Sequence, residues 1–474
     1  MRRLIAAWLA LATGLAACVP VPPRTGEPAL KQSTPTLSDA DLAVAGTVWP
    51  EAAWWRRYGD PTLDSLVERA LAGAPGLATA MARVDQAQAN LKEVDLASGI
   101  KWDANASLSR QRLSENGFFP TDLLGITWYN QADLSVQGSY RFDWWGKQRL
   151  TLRSARNSAR ATLLESAAAR LTVAASVTDA YFGWQADQAR LALAQHRIDL
   201  LAQEHSITQQ RLDAGLARAD ELQQVQVQEA AAQEALSLLK VSADMRRVVL
   251  AALIGIAPDE LPALTAHPLP AVRAAVPAGV SLDLAAHRPD VQAAYWSVRS
   301  AVDNLDAVRA GYYPDLSLHA LAGLSSIHLG KLFEIASADP NFGAAIHLPI
   351  FDLAQLRADR ATGQARLGGA IAAYNSAVVD AARELNSVAL TREQLQQQLT
   401  ARLASQDLAR QQYARATARG QAELSDARPE LSAARQQVDA DDAVLTIDAA
   451  LLANDINLTR ALGGGYGTRT EASP

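Results

Sequence analysis

Two periodicities divide this chain. In DLSVQGSYRFDW, residues 133–144, Leu134, Val136, Tyr140, Phe142 and Trp144 share one parity, and Ser135, Gln137, Ser139, Arg141 and Asp143 share the other. A period of two with one apolar face predicts a strand. Leu316, Leu318, Ala320, Ala322 and Leu324 alternate in the same way, as do Phe342, Ala344, Ile346, Leu348 and Ile350, and residues 104–112 form a weaker fourth candidate. Pro349 suits a strand terminus, because it cannot donate to a ladder.

The second periodicity is helical. No proline occurs between residues 147 and 254, and apolar residues recur by sevens at Val177, Trp184, Leu191 and Ile198, skip His205 and resume at Leu212. Ala180, Ala194 and Leu201 fill companion positions, which is coiled-coil spacing. A single seam would equally suit the core of a soluble bundle. About sixty-five residues precede Gly215, however, and at about 1.5 Å per residue they predict a helix near 100 Å, longer than compact domains contain. Gly215 then reads as the reversal between a helix from 147 and one from about 219 to 254, since glycine supplies the left-handed backbone that ends helices. A matching run spans 353 to about 460, with Tyr413 and Gly420 near its midpoint. Pro429 lies inside it and is expected to kink or unwind the helix locally.

These elements occur twice. Laying residues 72–94 over 286–308 without a gap matches Ala72/Ala286, Pro75/Pro289, Ala80/Ala294, Val84/Val298, Ala87/Ala301, Asn90/Asn304, Leu91/Leu305 and Val94/Val308. An internal duplication is expected, with a first repeat over 49–257, a linker over 258–280, a second repeat over 281–462 and a tail from 463 to 474. The fold class is mainly α with a β part: a duplicated strand pair, each carrying a long coiled-coil helical hairpin. Strands of about ten residues are long enough to cross an outer membrane when tilted, although a small soluble sheet would show the same alternation. Four strands cannot close a barrel, so a membrane reading requires several chains.

Composition narrows the partners. Of 474 residues 49% are hydrophobic and 20% charged, with a net charge of -6, so no basic footprint for nucleic acid exists. The N-terminus carries Arg2 and Arg3, an apolar run from Leu4 to Leu11, then Leu15-Ala16-Ala17-Cys18, which predicts a secretory signal over 1–17. Cys18 is the sole cysteine and has no internal partner. The tetrad resembles a lipobox, which makes Cys18 a lipidation site followed by a tether to residue 48. An ordinary cleavage site with a chance cysteine is the competing reading. Val19 after Cys18 is compatible with transfer to the outer membrane.

With Trp54-Trp55 and YGDPTLDSLVERAL, YRFDWWGKQR, RLDAGL, HRPDVQAA, YYPDLSL, PIFDLAQLRA and ALGGGYG in this order, the chain resembles the outer-membrane factor family. These are TolC-like exit ducts of tripartite efflux pumps, and the likeness is to their lipoprotein branch. The resemblance implies a homotrimer whose strands close a twelve-stranded barrel and whose helices form a twelve-helix periplasmic tunnel. Partners would be outer-membrane lipid, a periplasmic adaptor protein and an inner-membrane pump, and the covalent lipid on Cys18 would be the chain's one attached group. It also implies an adaptor-docking role for Arg211, Leu212, Gly215 and Leu216 and, at the second tip, Tyr413 and Gly420. There the sequence departs from the family pattern, with Ala416 where glycine is usual. Relatives carry aspartates at a closed tip; Asp213, Asp220, Glu423 and Asp426 are the candidates for such a pore gate here.

Catalytic chemistry is not expected. The seven histidines lack metal-ligand spacing, and Gly463-Gly464-Gly465 follows a helix without opening another, so it reads as a helix stop rather than a phosphate loop. Phe118 and Phe119, in an expected surface loop, could meet lipid head groups or pack within the loop. The expected function is passive passage of drugs or other small molecules expelled by the inner-membrane pump. The same fold would serve a type I protein-secretion duct. A lipid-anchored periplasmic coiled-coil scaffold is a third reading, but it leaves the strands and the duplication unaccounted for.

Overall fold

The structure is a computed structural model that describes residues 29–30, 51–114, 125, 127–271, 287–349, 351–422 and 426–465. Cys18 and its flanking segments, Phe118, Phe119, Ala286, Ile350, Glu423 and most of the C-terminal tail lie outside these residues. The described residues resolve into two compact units, one holding Val84–Thr162 and Ala294–Tyr374, the other the remaining segments from residue 51 onward.

The first unit holds the sheet. β1 (Lys101–Arg112), β2 (Trp128–Phe142), β3 (Asp315–Ser326) and β4 (Asn341–His347) form one four-stranded antiparallel sheet in that order. The two predicted strand pairs are thus joined by pairing of β2 with β3, in register from Ala132 opposite Ser326 to Phe142 opposite Leu316. Even-numbered positions put Trp102, Leu108, Leu134, Val136, Tyr140, Phe142, Leu318, Phe342 and Ile346 on one face, all exposed. On the other face Asp133 accepts from Ser107, Gln131 and Ser325 at 3.1, 3.1 and 2.7 Å. The strand expected through Trp144 stops at Phe142, because Asp143 turns to cap the following helix, accepting from the backbone N–H groups of Gln148 and Arg149 at 2.9 Å each. Similarly β4 stops at His347, short of Leu348.

Helical segments complete this unit. α2 (Pro75–Ala97) and α5 (Pro289–Ala310) are the duplicated helices, each beginning at a proline. Val298 and Leu305 of α5 pack on Leu367 and Ile371. Asp303 holds both Arg153 and Asn157, at 2.5 and 2.8 Å, and Arg160 lies 4.1 Å from the Trp296 ring centroid.

The second unit is helical. α1 (Pro61–Gly73) is capped by Asp60 and packs Leu63, Leu66, Val67 and Ala70 in the core. Its partners are Val177, Tyr181 and Phe182 of α3 (Lys147–Asp213), Leu250 and Ile254 of α4 (Ala219–Ile254), and Leu452 and Ile456 of α7 (Arg428–Ala461), while α6 (Leu353–Gln421) completes the second hairpin. The heptad seam is visible in burial: Val177, Trp184 and Leu201 are buried, and Leu191 and Ile198 half-buried. His205, the position the seam skips, reaches Glu229 of α4 at 2.8 Å.

Buried charge ties the unit together. Asp455 receives Arg57 at 2.5 Å and the Tyr58 hydroxyl at 2.9 Å, with Arg392 at 3.5 Å. Burial foremost, and the adjacent Asp455 charge, push the Tyr58 hydroxyl well above the usual tyrosine pKa. Arg288, from the HRPD stretch, binds Asp290 and Glu384 at 2.8 Å and donates to the Ala461 carbonyl at 3.2 Å, capping the end of α7. The glycine triplet that follows does more than stop that helix. All three have positive φ, and a Cβ on Gly463 or Gly465 would collide with the backbone of His287 or Glu51, so three chain segments approach one another there.

Candidate functional site at the hairpin tips

Both hairpins of the second unit end side by side. α3 closes in a Schellman turn: Leu216 N–H donates to the Arg211 carbonyl at 2.7 Å and Gly215 N–H to Leu212 at 2.9 Å, with Gly215 at φ 70°. No atom would meet a Cβ at Gly215, so the backbone alone demands glycine there. Leu216 is 69% exposed. A Schellman turn usually folds such a residue back onto its helix, whereas here it stands out at the tip.

Arg211 joins the two hairpins. Its guanidinium donates to the Leu216 carbonyl at 3.0 Å and to Asp426 at 2.9 Å. Asp426 also accepts from the Arg428 side chain at 3.0 Å and its backbone N–H at 3.2 Å. Arg428 lies 3.8 Å from Glu221 in the first turn of α4, and Arg218 pairs with Asp220 at 2.7 Å. Partial burial works to raise the Asp426 pKa, but Arg428 and then Arg211 outweigh it and hold the carboxyl below the usual range. Of the sequence candidates, then, Arg211, Gly215, Leu216, Asp220 and Asp426 meet at this end. Asp213, the last residue of α3, accepts from Gln209 at 2.8 Å.

The second tip differs from expectation. Gly420 lies within the last turn of α6 with no positive φ. Its lack of a side chain leaves room for Glu430, whose carboxylate would be 3.1 Å from a Cβ. Tyr413 is partly buried against Leu200, Leu431, Ala434 and Val438, an inward packing role. The reversal falls after Gln421, and Pro429 sits in the first turn of α7, where its missing N–H has no partner to lose, so it starts a helix and kinks none. Between α6 and α7 at this end is a groove of about 500 Å³ lined by Leu408, Gln411, Gln412, Arg415, Arg419 and Pro429 among others.

The sequence matches the outer membrane efflux protein family over residues 66–256 and 281–464, and the chain belongs to that family. It is 32% identical over 453 residues to the multidrug resistance outer membrane protein MdtP of Escherichia coli K12, covering 92% of this chain and 91% of the relative. With MdtQ of Escherichia coli O157:H7 it shares 30% identity over 476 residues, 95% of this chain and 96% of the relative. Among solved structures, the outer membrane protein VceC of Vibrio cholerae matches with a TM-score of 0.79 at 28% identity, over 88% of this chain and 100% of its own. The Campylobacter jejuni CmeC outer membrane channel matches with a TM-score of 0.84 over 94% and 96%, and at 20% identity this is a likeness of fold. The protein is an outer-membrane efflux channel.

Proposed function

We propose that this chain is the passive exit duct of a tripartite efflux system, assembled as a homotrimer, anchored by lipid on Cys18 and without catalytic activity of its own. Small molecules of the multidrug class, in keeping with the names of MdtP and MdtQ, are delivered by an inner-membrane pump through a periplasmic adaptor. The observation that carries the reading is the sheet: apolar across its width on one face, polar on the other, with β1 and β4 as its two edges. Unpaired edges in lipid are prohibitively costly, so copies of the chain must supply one another's missing partners. A second feature supports the assembly: Leu238, Val241, Met245 and Val248 make an exposed seam at heptad spacing along α4. The adaptor docks at the tips, around Arg211, Leu212, Gly215 and Leu216 and in the neighbouring groove. Asp213, Asp220 and Asp426 are the acidic groups available to a gate there.

The test is the mass of the detergent-extracted Cys18→Ala protein by light scattering, with bound detergent subtracted. Three chains per particle that still require detergent are expected. A soluble monomer would overturn the duct reading.

A further inference from the structure

The strand register aligns Trp102 of β1, Gly138 of β2, Ala320 of β3 and Phe342 of β4 in one row across the apolar face. A ring at each edge and a floor without reaching side chains leave a depression between them. Tyr140 and Leu318, the next pair in register toward the helix-bearing strand ends, wall it on that side, and its volume is about 580 Å³. Gly138 shapes it: a Cβ there would stand 2.8 Å from the Trp102 ring, so only glycine lets the indole lie down across β2. Trp102 is 69% exposed and Phe342 89% exposed, so among the described residues nothing covers the rim.

We propose that this depression is a discrete site for one phospholipid acyl chain of the bilayer leaflet nearer the helices. The proposal rests on the reading that the sheet faces outer-membrane lipid, with which the depression is continuous. A lipid tail is unbranched and offers no hydrogen bonds, which suits a lining made mostly of rings, aliphatic side chains and small residues, with Ser139 and His319 its polar members, and the volume is within the roughly 300–1,000 Å³ of ligand sites. Lys147, first in α3, follows the end of β2 on the same side and supplies a cation to the headgroup phosphate.

The experiment is native mass spectrometry of the full-length protein released from mild detergent in the presence of palmitoyl-oleoyl phosphatidylethanolamine. The wild type and Ala320→Gly, which leaves the floor open, retain one lipid per chain. Ala320→Phe fills the floor and Gly138→Ala lifts the Trp102 ring; since each displaced methylene is worth about fourfold, Ala320→Phe is expected to lower retention at least about tenfold. Equal retention by Ala320→Phe and wild type, or none by the wild type, overturns the site. Retention that appears only in Cys18→Ser assigns the depression to the chain's own lipid and also overturns it. The same Cys18→Ser sample separates the two levels: release without detergent removes the membrane reading itself, whereas a detergent-requiring protein without retained lipid removes only the site.

Discussion

Single residues at the tip set measurable limits. Gly215→Val forces a β-branched side chain into the left-handed region at a cost of about 1–2 kcal/mol, felt by the turn alone because no atom crowds the position. It is expected to abolish drug efflux in cells while leaving the trimer intact on size exclusion; normal efflux would remove the docking role. Asp426 gives a pH signature. Its folded-state pKa is depressed, so its contribution is complete above the unfolded value and is lost as pH falls through the lower folded one. The protection factor of the amides at residues 214–218, exchange measured relative to the unstructured chain at the same pH, should therefore stay constant from neutral pH to about 4 and fall below it. Asp426→Asn should show low protection throughout, and a loss of wild-type protection already between pH 7 and 5 would refute the tie. Farther along α3, the Arg246 guanidinium lies where a Cβ on Gly183 would stand, and it pairs there with Asp187 at 2.8 Å. Gly183→Ala should push this flexible guanidinium off Asp187 while gaining about 0.5–1 kcal/mol of helix preference, so the thermal midpoint should change little. Gly215 was legible in the sequence because a positive φ demands a particular residue. Arg288 and Asp455 were not, since their partners are far away in the chain and no local pattern records a buried ion pair.

At the scale of elements, periodicity carried most of the fold. The α3 and α4 boundaries agree with the absence of proline and the position of Gly215, and four alternating segments became the four strands. The join of β2 to β3 was hidden, because alternation defines faces and leaves neighbours open. At the second tip Gly420 drew attention away from the true reversal; a glycine inside a helix and one ending it look alike until φ is known. α4 has two apolar stripes, one buried at Val225, Ala232, Leu236, Ala243 and Leu250, the other the exposed seam. Leu238→Glu with Met245→Glu should leave the first stripe, and so the folded chain, intact. It should also remove the trimer, giving a single-chain mass in detergent by light scattering; a persisting trimer would show that the seam is not the contact between copies.

At the scale of the whole molecule the two repeats are matched in length. α3 and α6 have 67 and 69 residues, and α4 and α7 have 36 and 34, which brings Arg211 and Asp426 together at the ends of separate hairpins. Removing one heptad from both limbs of the first hairpin alone would withdraw Arg211 by about 10 Å. Such a variant should lose efflux, and the same deletion made in all four limbs should recover the Arg211 to Asp426 pairing, read as restored protection of residues 214–218 from amide exchange. If the four-limb variant stays unprotected, limb length is not what sets the pairing.

The matched limbs make the reach of the hairpins an inherited ruler. A change in one repeat's reach shifts its tip against the other's unless both change in step. The two repeats accordingly differ widely in side chains, while the lengths of their paired long helices stay within two residues of each other.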